Sequence, residues 1–425
     1  MSPRHIKRLR VALFVLPFSL FVSVRLLGEP QAEWPEFRGP GGQGHAASGP
    51  APFEWSETRN VVWKVPVPGR GWSSPVVSGG RIWLTTAVAD GRAASLRLLS
   101  FDAESGRELL NVEAFKLSSA NLKNEKNSHA SPTPIVEGDR VYVHFGGDGT
   151  AALDAATGKI LWSKKFPYAS QHGSGGSPAL YKDLLIFSGD GHLEAWVIAL
   201  DKRTGDVRWK TERRRPFDQA YTTPLVISVD GRDQIVSVGA YRVGAYDPDT
   251  GKEIWRVQYE DGFSNVPRPV FANGLVYITT GFFQPAVMAI RPDGTGDVTR
   301  THVAWTTTRG APFTPSPIAV GDELYIINDL GVLSCVDART GTLHWQQRIG
   351  GNYSASPVFA DGRIYFLSEE GVATVIAPGT TFRKLAVNEL GGATLASMAV
   401  ANGSIFIRSL THLYRIGGGS PAASR

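Results

Sequence analysis

The stretch "ALDAATGKILW" at residues 152–162 sets Asp154, Thr157, Lys159 and Trp162 close together. An acid, a hydroxyl, a base and an aromatic at such spacing are the parts of an acid–base site. Three histidines on polar loops, His129, His172 and His192, are candidate metal ligands if adjacent segments bring them together. "GQGHAA" at 42–47 matches a dinucleotide fingerprint in outline, but it neither follows a strand pattern nor opens a helix. "DPDTG" at 247–251 begins like a calcium loop, yet Gln258 stands where the acidic bidentate ligand belongs. The single cysteine, Cys335, lies in the apolar strand pattern "LSCVDARTG" and reads as a small buried hydrophobe. No G-x-S-x-G, H-E-x-x-H or P-loop pattern occurs.

The opening stretch recurs, and that changes its meaning. Copies stand at 100–110, 199–209, 245–255 and 335–345, with degenerate ones at 289–296 and 375–385, spaced 40 to 52 residues apart. Asp102, Asp154, Asp201, Asp247 and Asp337 begin the turns. Trp162, Trp209, Trp255, Trp305 and Trp345 follow them, and Trp63 has the same setting without its turn. A second pattern precedes each copy: a small residue and Pro, an apolar pair, a Gly or Asp turn, and an apolar run, as in "SPVVSGGRIWL" at 74–84.

Each unit reads as strand, turn, strand, loop, strand, Asp-x-x-Thr-Gly turn, strand. Self-similarity at this period with four antiparallel strands per unit predicts the blades of a propeller. The fold expected is all-β: an eight-bladed β-propeller of four-stranded antiparallel blades. The eighth unit stops at Ile416 after three strands, so Val61–Val65 is expected to close the ring as its fourth. In the turns, Asp and Thr oxygens can accept backbone N–H groups and Gly can take positive φ. The tryptophans are expected to pack between blades.

Composition agrees with this reading. The 425 residues include 47 Gly, 27 Pro and 11 Trp, which suits many short strands and turns. Arg4, Lys7, Arg8 and Arg10 precede the apolar run Val11–Val24, which is shorter than the about 20 residues a spanning helix needs. Residues 1–32 therefore read as an export signal rather than a membrane anchor. Most of the net charge of +5 lies in this segment, so the basic balance gives no support for nucleic-acid binding. Residues 33–59 read as an extended strap anchored by Trp34, Phe37 and Trp55, residues 60–417 as the propeller, and 418–425 as a loose tail.

The recurring Asp-x-x-Thr-Gly-(Lys/Arg)-x-x-Trp over about residues 60–417 resembles the pyrroloquinoline-quinone (PQQ) type, or tryptophan-docking, propeller repeats. That superfamily includes quinoprotein alcohol dehydrogenases and an envelope lipoprotein that assists outer-membrane β-barrel assembly. The start "WPEFRGPGGQG" and the run "NVVWKVPVPGRGWSSPVV" are similar to widespread exported bacterial members. The dehydrogenases carry a disulfide between adjacent cysteines beneath the quinone and a calcium ion held by Glu, Asn and Asp. Here Cys335 is single and that acidic set has no matching positions. The lipoprotein is anchored through an N-terminal Cys, which this chain lacks.

The near-identical turns look like scaffold, so function is sought where the blades differ, around the mouth of the central channel. The loops entering the blades offer His129, His172, Asn265, Arg268, Thr314 and Tyr353, and a strand two-to-three loop adds Arg242. A ring of this kind suits a polar or anionic ligand. The run Arg213–Arg215 reads as a solvated loop. Two expectations stand. One is an exported, monomeric, non-catalytic propeller, periplasmic or extracellular, binding an envelope protein, a glycan or a small polar ligand. The other is a PQQ- and calcium-dependent oxidoreductase or a degenerate relative of one.

Overall fold

The computed structural model describes residues 33–47, 49–119, 124–213 and 219–417. The leader at 1–32, the tail at 418–425, and Arg214, Arg215 and Asp218 lie outside the described residues.

Eight antiparallel sheets follow one another along the chain. Blades 1 to 7 span residues 76–117, 135–164, 179–212, 225–258, 270–307, 318–348 and 358–389. Blade 8 takes Ala399–Ala401, Ser404–Arg408 and His412–Gly417, and its outer strand is Val61–Pro66 from the front of the chain. The pairing runs Val61 to Ile416 and Val65 to Leu413, as the truncated last repeat requires. The first strand of blade 8 touches that of blade 1, and the Ser397 N–H donates to Ser74 Oγ across the same seam, so the ring is closed. The only helices among the described residues are two short 3₁₀ turns, Pro40–Gly42 and Gly146–Asp148.

The repeat explains how blades join. Asp154 Oδ1 accepts the Thr157 N–H at 2.7 Å and its hydroxyl at 2.6 Å, and those donors hold its carboxyl below the usual range. Asp247 and Asp337 close their turns the same way. The glycine that follows has φ near +70°, which a side chain resists. It also provides the platform for the preceding blade's tryptophan. A Cβ on Gly205, Gly251 or Gly341 would fall 2.5–2.7 Å from the ring of Trp162, Trp209 or Trp305 respectively. Each indole N–H then donates into the next blade: Trp162 to the Lys202 carbonyl, Trp209 to Pro248, Trp305 to Ala338, Trp345 to Gly379 and Trp63 to Ala103.

Trp255 differs. It donates to Gln234 of its own blade because the next turn is the degenerate "RPDGTG". That segment instead sends Gly296–Asp297 back as a parallel fifth strand on the outer edge of blade 4.

Candidate ligand-binding cavity

The collar position is the residue two places before the first strand of each blade. In seven blades it is Ser74, Thr133, Ser177, Thr223, Ser316, Ser356 or Ser397, each at most 5 % exposed. These hydroxyls form a collar. The backbone N–H of Ser74 donates to Thr133 Oγ1, that of Thr133 to Ser177, and that of Ser177 to Thr223, each at 2.9 Å. Ser316, Ser356, Ser397 and Ser74 continue the series at 2.9–3.2 Å.

Blade 5 breaks the collar with Arg268. Its side chain is buried and turns to the far end of the channel, where it donates to the Pro224 carbonyl at 3.2 Å, the Phe37 carbonyl at 2.6 Å and Glu36 at 2.9 Å. Residues 34–46 meet the first strands of blades 1, 2, 5, 6 and 7 through Trp34, Pro35, Gln43, His45 and Ala46. The strap therefore crosses the channel rather than running beside the propeller. Arg38 is buried within it and donates to the Pro317 and Gln43 carbonyls. Burial and the nearby Arg268 pull its pKa down to about 9, which leaves it charged at pH 7.

Above this strap lies a cavity of about 660 Å³, a size typical of small-molecule sites. Phe37 reaches it from the strap, and the collar rings it. Its upper walls come from the inter-blade loops: Trp72, Tyr221, Phe263 and Phe313, with Phe282 from a strand two-to-three loop. Phe263 and Phe282 exchange backbone hydrogen bonds, and their rings meet edge to face at 5.7 Å between centroids. Burial pushes the Tyr221 phenol up to about 12, so it stays protonated. Among the described lining residues Lys126 is the one formally charged side chain, and it pairs with Glu369 at 2.9 Å. Burial and neighbouring His192 hold His172 below the usual histidine range, so its imidazole is neutral at pH 7.

Of the residues singled out in the sequence, His172 and Thr314 line this cavity. His129 lines a neighbouring pocket of about 440 Å³ with His172 and Asp148, its Nδ1 3.9 Å from the Asp148 carboxylate. Arg242 pairs with Glu253 in blade 4. Asn265 is fully buried; its side-chain amide donates to the Tyr259 hydroxyl at 3.0 Å, and its backbone carbonyl accepts the Tyr221 N–H. Tyr353 packs in the core between blades 6 and 7. Arg213 is no solvated loop residue: it forms a buried ion pair with Asp190 at 3.0 Å. No group of three or more His, Cys, Asp or Glu able to hold a metal occurs among the described residues. The collar and the aromatic walls were not singled out. The small residue before each Pro was a visible signal for the first, whereas the aromatics lie in loops that do not repeat.

The sequence pattern of the family described as "Outer membrane protein assembly factor BamB" matches residues 56–223, 239–295 and 296–399. The chain belongs to this family.

A quinohemoprotein alcohol dehydrogenase, ADH-IIG, of Pseudomonas putida is 31% identical over 146 residues, 32% of this chain and 20% of that protein. BamB of Burkholderia pseudomallei is 31% identical over 110 residues, 25% of this chain and 28% of that protein. The chain thus spans less than a third of either relative it matches. The crystal structure of BamB from Moraxella catarrhalis superposes with a TM-score of 0.58 at 14% identity, covering 84% of this chain and 99% of that one. That likeness concerns the fold.

The similarity to quinone enzymes raises the fit of a calcium-bound quinone. The donor set does not suit it. Calcium takes six to eight oxygen ligands, usually with carboxylates among them, and no described residue lining the cavity is Asp or Glu. Cys335 is buried between blades 6 and 7, away from the cavity lining.

Proposed function

We propose that this protein is an exported, non-catalytic binding propeller of the bacterial cell envelope, and that its ligand enters the central cavity. One observation carries the reading. The cavity combines ligand-sized volume, aromatic walls and a hydroxyl collar with no carboxylate and a single, neutral imidazole among its described lining residues. Such a lining recognises and orients, and it offers no acid–base pair or activated nucleophile for turnover. The apolar leader at Val11–Val24 supports export, and membership of a family described by an outer-membrane assembly factor supports an envelope setting.

The test is ligand retention. Wild type, Leu395→Trp and Val62→Trp are equilibrated with a bacterial envelope extract, and bound species are read by native mass spectrometry. Leu395 lines the cavity, whereas Val62 is exposed on an outer strand. Retention by wild type and Val62→Trp, with loss in Leu395→Trp, is the expected result. Equal retention by all three, or by none, overturns the location.

A further inference from the structure

The chemistry of the lining specifies the class of ligand, an inference that rests on the cavity being the binding site. A serine or threonine hydroxyl has one proton to donate and two lone pairs. In the collar one lone pair of Thr133, Ser177 and Thr223 is taken by a neighbour's backbone N–H. Their own O–H groups, and that of Ser74, find no acceptor among the described residues. These side chains are 2–3 % exposed and line the cavity, so an occupant meets an arc of four buried, unused donors.

Charge narrows the choice. The Lys126 charge is spent on Glu369, Arg268 is spent on Glu36 at the far end, and His172 is neutral. An ionic ligand would lose its hydration without gaining an unpaired counter-charge from the lining. The occupant is therefore neutral, rich in oxygen acceptors, and able to lie against aromatic faces. A pyranose ring meets all three conditions: its hydroxyl and ether oxygens accept, and its polarised C–H face suits the negative face of a π-system. Trp72, Tyr221 and Phe313 stand around the cavity to receive such faces, and the volume admits a short oligosaccharide.

We infer that the central cavity binds the end of a short neutral oligosaccharide, with sugar faces on the aromatic walls and sugar oxygens accepting from the Ser74–Thr133–Ser177–Thr223 arc of the collar.

Titration calorimetry with maltotriose and chitotriose, and with inorganic phosphate and citrate as anionic probes, tests this. Saturable binding of at least one trisaccharide is expected, weakened roughly tenfold or more by Trp72→Ala, the scale of one lost aromatic contact. Thr223→Val, which keeps shape and removes the hydroxyl, is expected to weaken it too. A thermal midpoint for each variant separates lost binding from lost folding. Binding of the anions but of neither sugar overturns the inference, as does trisaccharide binding that Leu395→Trp leaves unchanged. If wild type retains an envelope ligand that Leu395→Trp loses, while neither trisaccharide competes for it, the sugar assignment falls and the cavity reading stands. If Leu395→Trp retains that ligand as well, the cavity reading itself falls.

Discussion

The ring of Trp162 lies directly against Gly205 of the next blade, where an added Cβ would sit 2.6 Å from it, and its indole N–H donates to the Lys202 carbonyl at 3.0 Å. One contact thus fixes two features of the repeat, the tryptophan that ends a blade and the glycine in the following turn.

Gly205→Ala meets both a left-handed backbone, φ +76°, and the Trp162 ring. Gly231→Ala meets a similar backbone, φ +78°, with nothing within 4 Å of the new Cβ. The backbone costs about 1–2 kcal/mol in each case. Forcing the Trp162 ring aside adds about 1–3 kcal/mol for Gly205→Ala alone. Urea unfolding of the two variants checks the difference.

Arg268 holds the strap across the channel. Arg268→Ala leaves Glu36 without its partner and the Phe37 carbonyl without a donor. Breaking such a pair typically costs about 3–5 kcal/mol, and here the loss is expected to fall on the strap first. Limited proteolysis should cut Arg268→Ala within residues 36–45 under conditions that leave wild type intact.

The buried pair of Asp190 and Arg213 joins a strand end of blade 3 to Ser237 of blade 4. Asp190→Ala strands a buried guanidinium and should destabilise by about 3–5 kcal/mol. The double variant Asp190→Leu, Arg213→Met should recover most of that loss, because it removes both charges together. Chemical denaturation of the single and double variants measures the recovery.

The turn aspartates predict the acid limb of stability. Thr and Ser donors hold Asp102, Asp154, Asp247 and Asp337 below the usual range, and Thr299 holds Asp297 at about 2. A carboxyl whose folded pKa lies below its unfolded value, about 3.9, contributes fully above that value. The contribution is lost as pH falls through the folded pKa. Tm should therefore hold near constant from neutral pH to about 4 on their account and fall below it. Asp→Asn at these five positions should flatten that fall, and a Tm series between about pH 2 and 6 reads it.

The fold was legible because its determinants repeat. Asp154, Thr157, Gly158 and Trp162 have counterparts in blade after blade, and the missing strand after Ile416 pointed to Val61–Val65. The site was less so. Arg242, Asn265, Arg268 and Tyr353 are polar residues at the expected loops or strand ends, but local sequence does not say which way a side chain turns. Tertiary partners decided it: Glu253 took Arg242, Tyr259 took Asn265, and Glu36 with the strap took Arg268. The strap itself has no periodicity, so its path across the axis depends on contacts far away in the chain, such as His45 with Ala319.

Whether this propeller binds without catalysing is tested most directly by titrating the protein with PQQ in the presence of calcium, while following dye-linked alcohol oxidation. No saturable oxidation at any quinone concentration is the result predicted from a lining without carboxylates. Saturable, quinone-dependent turnover that Leu395→Trp abolishes would contradict it.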